Sequence, residues 1–461
     1  DFCLSRGLGD VYKRQVMINA IPSFDANQNR WDSHKAVEKI LLSSLQQLQN
    51  GEFDETILNS IKQNMIREYE LSLESNETKA YILASLFNTG SDPSEILNYK
   101  ERVNAVTLDE VKATAKKYFT DNYLALNIQE AKNLDSKGKK LKKPAYKPIE
   151  TKKGEMSEYA KWVESLPAPL PEVKYCDFNS IQQKRINTRS KLFYNFNPEN
   201  EVFTMTLKYG VGTHRMPKLE YAVALMNNAG MLPDVEPLAI KRAMGELNVN
   251  CSYAVDDNYM YVMMNGYEKD LVKACQLLSK QILFPKLDDK QLQSLIGSAF
   301  GSRQMENSDI STLERALTSY VLYKDSSDYL QRIPTRDLLD LSITDLTTQF
   351  QAATNYECEI YYTGTAPFDE VYDVLSKNLP LKAEEMPSSS PELRTREKYA
   401  ENTIFFLPNS KATQSKIYFF IEGKPFDVKD DIAIEAFSDY FGGGFGSLVM
   451  DEIREKRAMA Y

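Results

Sequence analysis

Only two histidines occur in the 461 residues, His34 and His214. They open the runs H-K-A-V-E and H-R-M-P-K, so no helix can place two imidazoles one turn apart, and a zinc site built on paired helical histidines is excluded. Cysteine is also sparse. Cys3, Cys176, Cys251, Cys275 and Cys358 are scattered without C-x-x-C spacing, which suggests neither a disulfide framework nor a zinc ribbon and leaves the compartment undecided. No run of eighteen apolar residues is present, so no helix-type membrane span is expected. An excess of positive charge is missing too, and a net charge of −9 argues against a nucleic-acid binder. There is no initiating methionine, and no signal-peptide arrangement of basic, apolar and small residues.

What is present is an ordinary globular composition, 42% apolar and 26% charged, long enough for two to four domains. Residues 1–15 are set aside as a tail, because Asp10 to Gln15 (D-V-Y-K-R-Q) is what one frame of a common transposase sequencing adapter encodes. Both ends then read as edges of a fragment, with any export signal upstream.

From Val16 the chain reads as a strand end through Phe24. A helix capped by Asp32 or Ser33 comes next, with Ala36, Ile40, Leu41, Leu45 and Leu48 on one side and a stop at Gly51. A longer helix from Asp54 carries an i, i+4 stripe of Ile57, Ile61, Met65 and Tyr69, expected to face a core. Further helices are expected over 79–87 and 94–103. The capping box Thr107–Glu110 opens another helix through Phe119, ahead of a strand from Tyr123 to Gln129. Residues 132–171 are rich in lysine and proline and read as a linker with one short helix around Trp162.

Beyond it, strands are expected at 191–194, 202–209, 251–254, 259–265 and 358–363. Helices are expected at 219–228, 269–283, 288–304, 311–322, 335–339, from Ser342 through Phe350, and at 368–378. Pro387 to Pro391 marks a second break.

Two internal echoes run through this pattern. The cap–helix–strand run from Thr107 to Gln129 returns at Ser342 to Tyr362, about 235 residues on. The strand–glycine–helix–glycine run from Val202 to Gly230 returns at Lys416 to Gly442, about 212 residues on. Together they describe α+β units of roughly 200 residues, a normal domain size, repeated along one chain.

The last twenty-one residues, F-G-G-G-F-G-S-L-V-M-D-E-I-R-E-K-R-A-M-A-Y, are the candidate functional stretch. Gly442, Gly443, Gly444 and Gly446 allow positive φ and close backbone approach. Ser447 is placed to cap a helix bearing Leu448, Met450 and Ile453. Arg454 and Tyr461 lie seven residues apart, two helical turns.

The glycine turn, the Arg–Tyr spacing and the repeated α+β layout resemble the insulinase/pitrilysin family of zinc metallopeptidases. Ala458 or Ala460 stands where that family has a glycine before the tyrosine. The resemblance implies a fold class of α+β, with repeated domains each made of a mostly antiparallel sheet packed with helices. It places 16–131 as the back part of a second domain and 132–171 as the link between halves. It makes 172–385 a third domain without a zinc motif, and 394–461 the opening of a fourth.

In the family an H-x-x-E-H helix in the N-terminal half holds the zinc. Arg and Tyr from the C-terminal half bind substrate backbone and stabilise the oxyanion. Carried over, those roles fall on Arg454 and Tyr461, with no metal ligand in this chain and Zn2+ bound only by a missing N-terminal half. In the third domain the run Tyr221 to Gly230 (Y-A-V-A-L-M-N-N-A-G) occupies the place of the zinc helix without ligands. His214 is expected in a surface loop, and His34 solvated near a helix start.

The resemblance further implies a clamshell enclosing a peptide substrate, whose other half is the partner. The fragment alone is expected to be inactive, and a periplasmic or envelope location rests on the family alone. A non-catalytic binding or scaffold subunit of the same fold is the second reading. An unrelated helical interaction protein is the third, and it predicts no sheet-plus-helix unit in 172–385.

Overall fold

The computed structural model describes residues 3–6, 16–20, 24–25, 30–31, 33–126, 156–167, 178–382, 391–409, 415–457 and 459. Two short strands, β1 (Cys3–Arg6) and β2 (Val16–Asn19), pair antiparallel, as do β3 (Phe24–Asp25) and β4 (Arg30–Trp31). The chain divides into two compact units, 1–405 and 406–461.

In the first unit a helical array comes first. Ser33, one of the two expected caps, accepts from the Lys35 amide and opens α1 (His34–Asn50). The stop is Gly51, at a φ of 75° that a side chain would resist. α2 (Glu55–Ser72) and α3 (Asn76–Thr89) come after it. The helix expected over 94–103 is split into a single turn at Pro93–Glu95 and α4 (Tyr99–Ala105). The predicted capping box closes in both directions at Thr107 and Glu110 to start α5 (Leu108–Tyr118).

The strand expected over 123–129 does not appear in its described part: residues 123–126 are irregular, and 127–129 lie outside the described residues. The linker reading of 132–171 is described only around α6 (Glu158–Ser165), the short helix expected at Trp162.

The stripe expected to make α2 a core helix is a correction. Ile61 and Met65 are exposed, and the buried residues are Leu58, Ile66 and Arg67 on another face. The reason lies in what α2 docks against. Arg67 donates through Nη1 to the Asn248 carbonyl (2.6 Å), Glu70 accepts from the Tyr267 hydroxyl (2.6 Å), and Glu74 accepts from Asn197 (2.9 Å) and Asn200 (2.7 Å). A polar face reaches the neighbouring domain, and the regular apolar stripe points elsewhere.

That neighbour is the α+β unit expected from residue 172 on. Its sheet runs in the order β5 (Gln182–Arg185), β6 (Ser190–Phe196), β12 (Cys358–Gly364), β7 (Val202–Tyr209), β10 (Met260–Tyr267), β9 (Asn250–Val255). All neighbours are antiparallel except the parallel pair β6–β12. The register makes one face a continuous apolar row, in which Leu192, Ile360, Leu207, Val262 and Tyr253 lie side by side.

Against that face pack α7 (Leu219–Met226), α9 (Leu271–Leu283), α13 (Ile343–Ala353) and α14 (Phe368–Asn378), all contributing to the core. The opposite face carries Lys208, Glu359, Tyr261 and Tyr361 and stays half-open, as one-sided antiparallel sheets do. α8 (Pro237–Glu246), the two-stranded pair β8 (Gly230–Met231) and β11 (Pro285–Lys286), α10 (Asp289–Met305), α11 (Ile310–Tyr323) and α12 (Asp328–Gln331) complete this region.

The second unit contains α15 (Asp431–Ser438), as the echo of α7 predicts. Among the described residues the strand expected from Lys416 does not form, and 415–427 are not assigned to any ladder. In the first unit the matching strand, β7, is held between β12 and β10. Among its described residues the second unit has no such neighbours, and an isolated strand has nothing to satisfy its amides.

Candidate functional site

The sequence places its candidate site in the second unit, and the local chemistry there starts at Ser447. After α15 the chain makes a π-helical turn, Asp439–Gly443, and then extends at Gly444 with φ −165°. Ser447 is buried and caps the next turn: its Oγ accepts from the Met450 amide (3.4 Å) and its carbonyl from the Asp451 amide (3.0 Å). That wide turn, Met450–Glu455, carries Arg454.

The expected positive φ does not occur at Gly442, Gly443, Gly444 or Gly446; among the described glycines only Gly51 and Gly90 have it. The close-approach expectation does hold at Gly443, where a Cβ would press on the Asp439 carboxylate. A right-handed turn needs no left-handed residue, so here glycine provides room rather than handedness.

Arg454 is about one-third exposed. Its Nη1 lies 3.7 Å from the Met450 sulfur, its Nε 3.8 Å from Glu455 Oε1, and its guanidinium 5.7 Å from the centre of the Phe445 ring. Next to it, Lys456 and Arg457 donate to Glu452 (2.5 and 2.6 Å) and hold that carboxyl down at about 2. Tyr461, the second predicted site residue, and both Ala458 and Ala460 lie outside the described residues.

The region matched to a zinc helix, Tyr221 to Gly230, overlaps α7, most of whose residues are committed to packing. Leu219, Tyr221, Ala222, Val223, Leu225 and Met226 are all buried. No side chain among them is a zinc ligand, and the core would have to open to admit one.

His214 lies in a loop, as expected, and is half-buried there. It sits between β7 and α7 with its amide on the Asp257 carbonyl (3.0 Å), and its Nδ1 has no partner. His34 is the first residue of α1 and is also half-buried, where the sequence suggested solvation. Among the described residues no three His, Cys, Asp or Glu side chains are grouped to hold a metal. Zinc does not fit the residues present.

A second site was not foreseen in the sequence. A cavity of about 600 Å3 lies in the first unit, between the β9–β10 turn and α7, α10, α11 and α12. Arg332 grips Glu306 through both guanidinium nitrogens (2.5 and 2.8 Å), and Tyr329 donates to the same carboxylate (3.2 Å). The hydrogen bonds from Arg332 hold Glu306 below the usual carboxylate range against the opposing effect of burial. Arg394 is almost wholly buried and pairs with Asp257 (3.1 and 3.2 Å).

Arg303 and Arg315 line the same cavity and make no ion pair among the described residues, though Arg303 lies near enough to help lower the pKa of Glu306, and Arg315 that of Asp309. Arg303 donates to the Thr335 hydroxyl (3.0 Å), and Arg315 reaches only Thr312 Oγ1 at 3.5 Å. The arginines come from separate helices and loops at irregular spacing, so no periodic signal marks them in the chain.

No family model matches the sequence, and no curated protein matches it. Solved structures do. A Pseudomonas fluorescens M16 peptidase inactive domain is similar with a TM-score of 0.46 and 17% identity, over 61% of this chain and 69% of that one. The ferredoxin protease FusC, solved in complex with Arabidopsis ferredoxin, is similar with a TM-score of 0.42 and 12% identity, over 77% of this chain. The periplasmic protease PqqL from Escherichia coli is similar with a TM-score of 0.43 and 12% identity, over 80% of this chain. M16 is the insulinase/pitrilysin family that the sequence resembles. The chain spans 42% and 43% of the length of the two proteases.

Proposed function

We propose that this chain is the non-zinc-binding half of a zinc metalloendopeptidase that encloses peptides, with Arg454 and Tyr461 as its contribution to catalysis. The observation that carries the reading is the Ser447-capped turn. It comes after a glycine run, bears a partly exposed Arg454, and precedes Tyr461 by the spacing the family uses. Arg454 would hold substrate carbonyls with its forked, permanently charged donors. The Tyr461 hydroxyl would donate to the oxyanion as charge develops on it. Zinc belongs to the other half, and α7 acts as packing.

A periplasmic setting goes with this reading. No helix among the described residues is long and apolar enough to cross a membrane.

Metal analysis and peptide hydrolysis by the isolated chain test the proposal. The expected result is neither stoichiometric zinc nor cleavage, and one tightly bound zinc per chain overturns it. The second reading, a non-catalytic binding subunit, is supported by α7, whose buried residues include no zinc ligand. The gene upstream of this segment separates the two: an intact H-x-x-E-H there supports the enzyme, and its loss supports the subunit.

A further inference from the structure

The cavity beside the β9–β10 turn holds charges of both signs that the fold leaves without an ion-pair partner among the described residues. Arg303 and Arg315 hydrogen-bond only to hydroxyls among the described residues, with Glu306 and Asp309 near them but outside ion-pair distance. On the same wall Glu220 has no hydrogen-bond or ion-pair partner among the described residues. Asp328 engages only its Oδ1, with the Ser319 hydroxyl and the Tyr329 amide (2.9 Å). Tyr221 presents a phenol with no hydrogen-bond partner that is not sealed from solvent, and burial raises its pKa, so it remains a neutral donor. The neighbouring Arg332–Glu306 and Arg394–Asp257 pairs are closed on themselves and frame the space. Groups of both signs left without ion pairs in a concave site are what a ligand with both signs would satisfy.

We propose that this cavity binds a short peptide by its free termini. The α-carboxylate is taken by Arg303, Arg315 and the Tyr221 hydroxyl, and the α-ammonium by Glu220 and Asp328. A guanidinium fork matches a carboxylate in two parallel bonds. Inorganic phosphate meets the same arginines, but its second negative charge faces Glu220 and Asp328, and the like charges oppose it. About 600 Å3 accommodates a ligand of two to four residues. The site lies within the first unit and calls for no metal.

Equilibrium titration of the full chain with triglycine tests it, alongside N-acetyl-triglycine, triglycine amide and inorganic phosphate at matched ionic strength. Triglycine is expected to saturate with a dissociation constant at or below about 1 mM. Each blocked peptide should bind at least tenfold more weakly, and phosphate more weakly than triglycine. The double variant R303Q/R315Q, checked for an unchanged thermal melt, should lose triglycine binding, and E220Q should lessen the penalty for N-acetylation. The blocked-peptide comparison needs no variant, so a misfolded double variant leaves it decisive. No saturation by triglycine, equal binding of the amide, tighter binding of phosphate, or undiminished binding by a folded R303Q/R315Q overturns the proposal.

Discussion

Arg67 is the largest fully buried side chain among the described residues, and it is charged. Desolvation lowers its pKa from the ordinary arginine value, and its compensation is Glu68 (3.7 Å), the Asn248 carbonyl (2.6 Å) and the Asn64 side chain. Asn248 is itself held at a φ of 52°, which asparagine tolerates better than most residues. Arg67→Ala would leave that carbonyl unpaired and open a cavity, a loss of about 2–4 kcal/mol. Arg67→Met fills the volume and removes the buried charge, so it should cost less. Denaturant melts of the two variants check the order, and equal losses would place the cost in the charge alone.

Glu306 gives a pH-dependent counterpart. Its folded pKa lies below the ordinary glutamate value, so its stabilisation is full above that ordinary value and is lost as pH falls through the folded pKa. Glu306→Gln should therefore destabilise by about 1–2 kcal/mol at pH 7, and the gap from wild type should close in acid. Thermal melts across pH 3 to 7 read this directly. A gap that stays constant with pH would show that the Arg332 pair contributes no charge-dependent stability.

Elements meet where sequence periodicity alone does not say which face is used. α2 and α8 approach so closely at Gly245 that a Cβ there would run into the Ser60 side chain. Gly245→Val should push α8 away from α2 and cost about 1–3 kcal/mol, the usual penalty of overpacking. Removing the obstruction with Ser60→Gly should recover part of it in a double-mutant cycle. Additive losses would mean the two helices are not coupled at this point.

The echoes fared differently at this scale. The Ser342 cap, α13 and β12 form as expected, whereas the earlier copy after Thr107 keeps its cap and helix and shows no strand in its described part. A capping box is closed by residues three apart, and a strand needs a neighbour from elsewhere in the chain.

At the scale of the whole molecule, the two units differ in how much apolar surface they leave outside. The first unit contains a core cluster running from Leu192 to Leu379. In the second, Ile417, Phe419, Ile421, Phe426 and Phe437 are all exposed. Extended apolar segments without ladder partners recruit other chains. The isolated chain should accordingly bind a hydrophobic dye and self-associate in sedimentation experiments. Phe419→Lys, which adds charge to the most exposed of these positions, should reduce both. A monodisperse monomer that binds no dye would contradict this expectation.

The sequence by itself determined the local elements: Thr107, Ser342 and Ser447 as caps, a first cap at Asp32 or Ser33, β7 and α14 to the residue, and the absence of a paired-histidine zinc helix. Each of these depends on neighbours within a few positions, or on counting. Only the tertiary structure decided which face of α2 is buried, that most of α7 is packed into the core, that the 416–423 segment is not a strand, and that arginines from distant helices share one cavity. Those outcomes turn on contacts between residues far apart in the chain, and no local spacing encodes them.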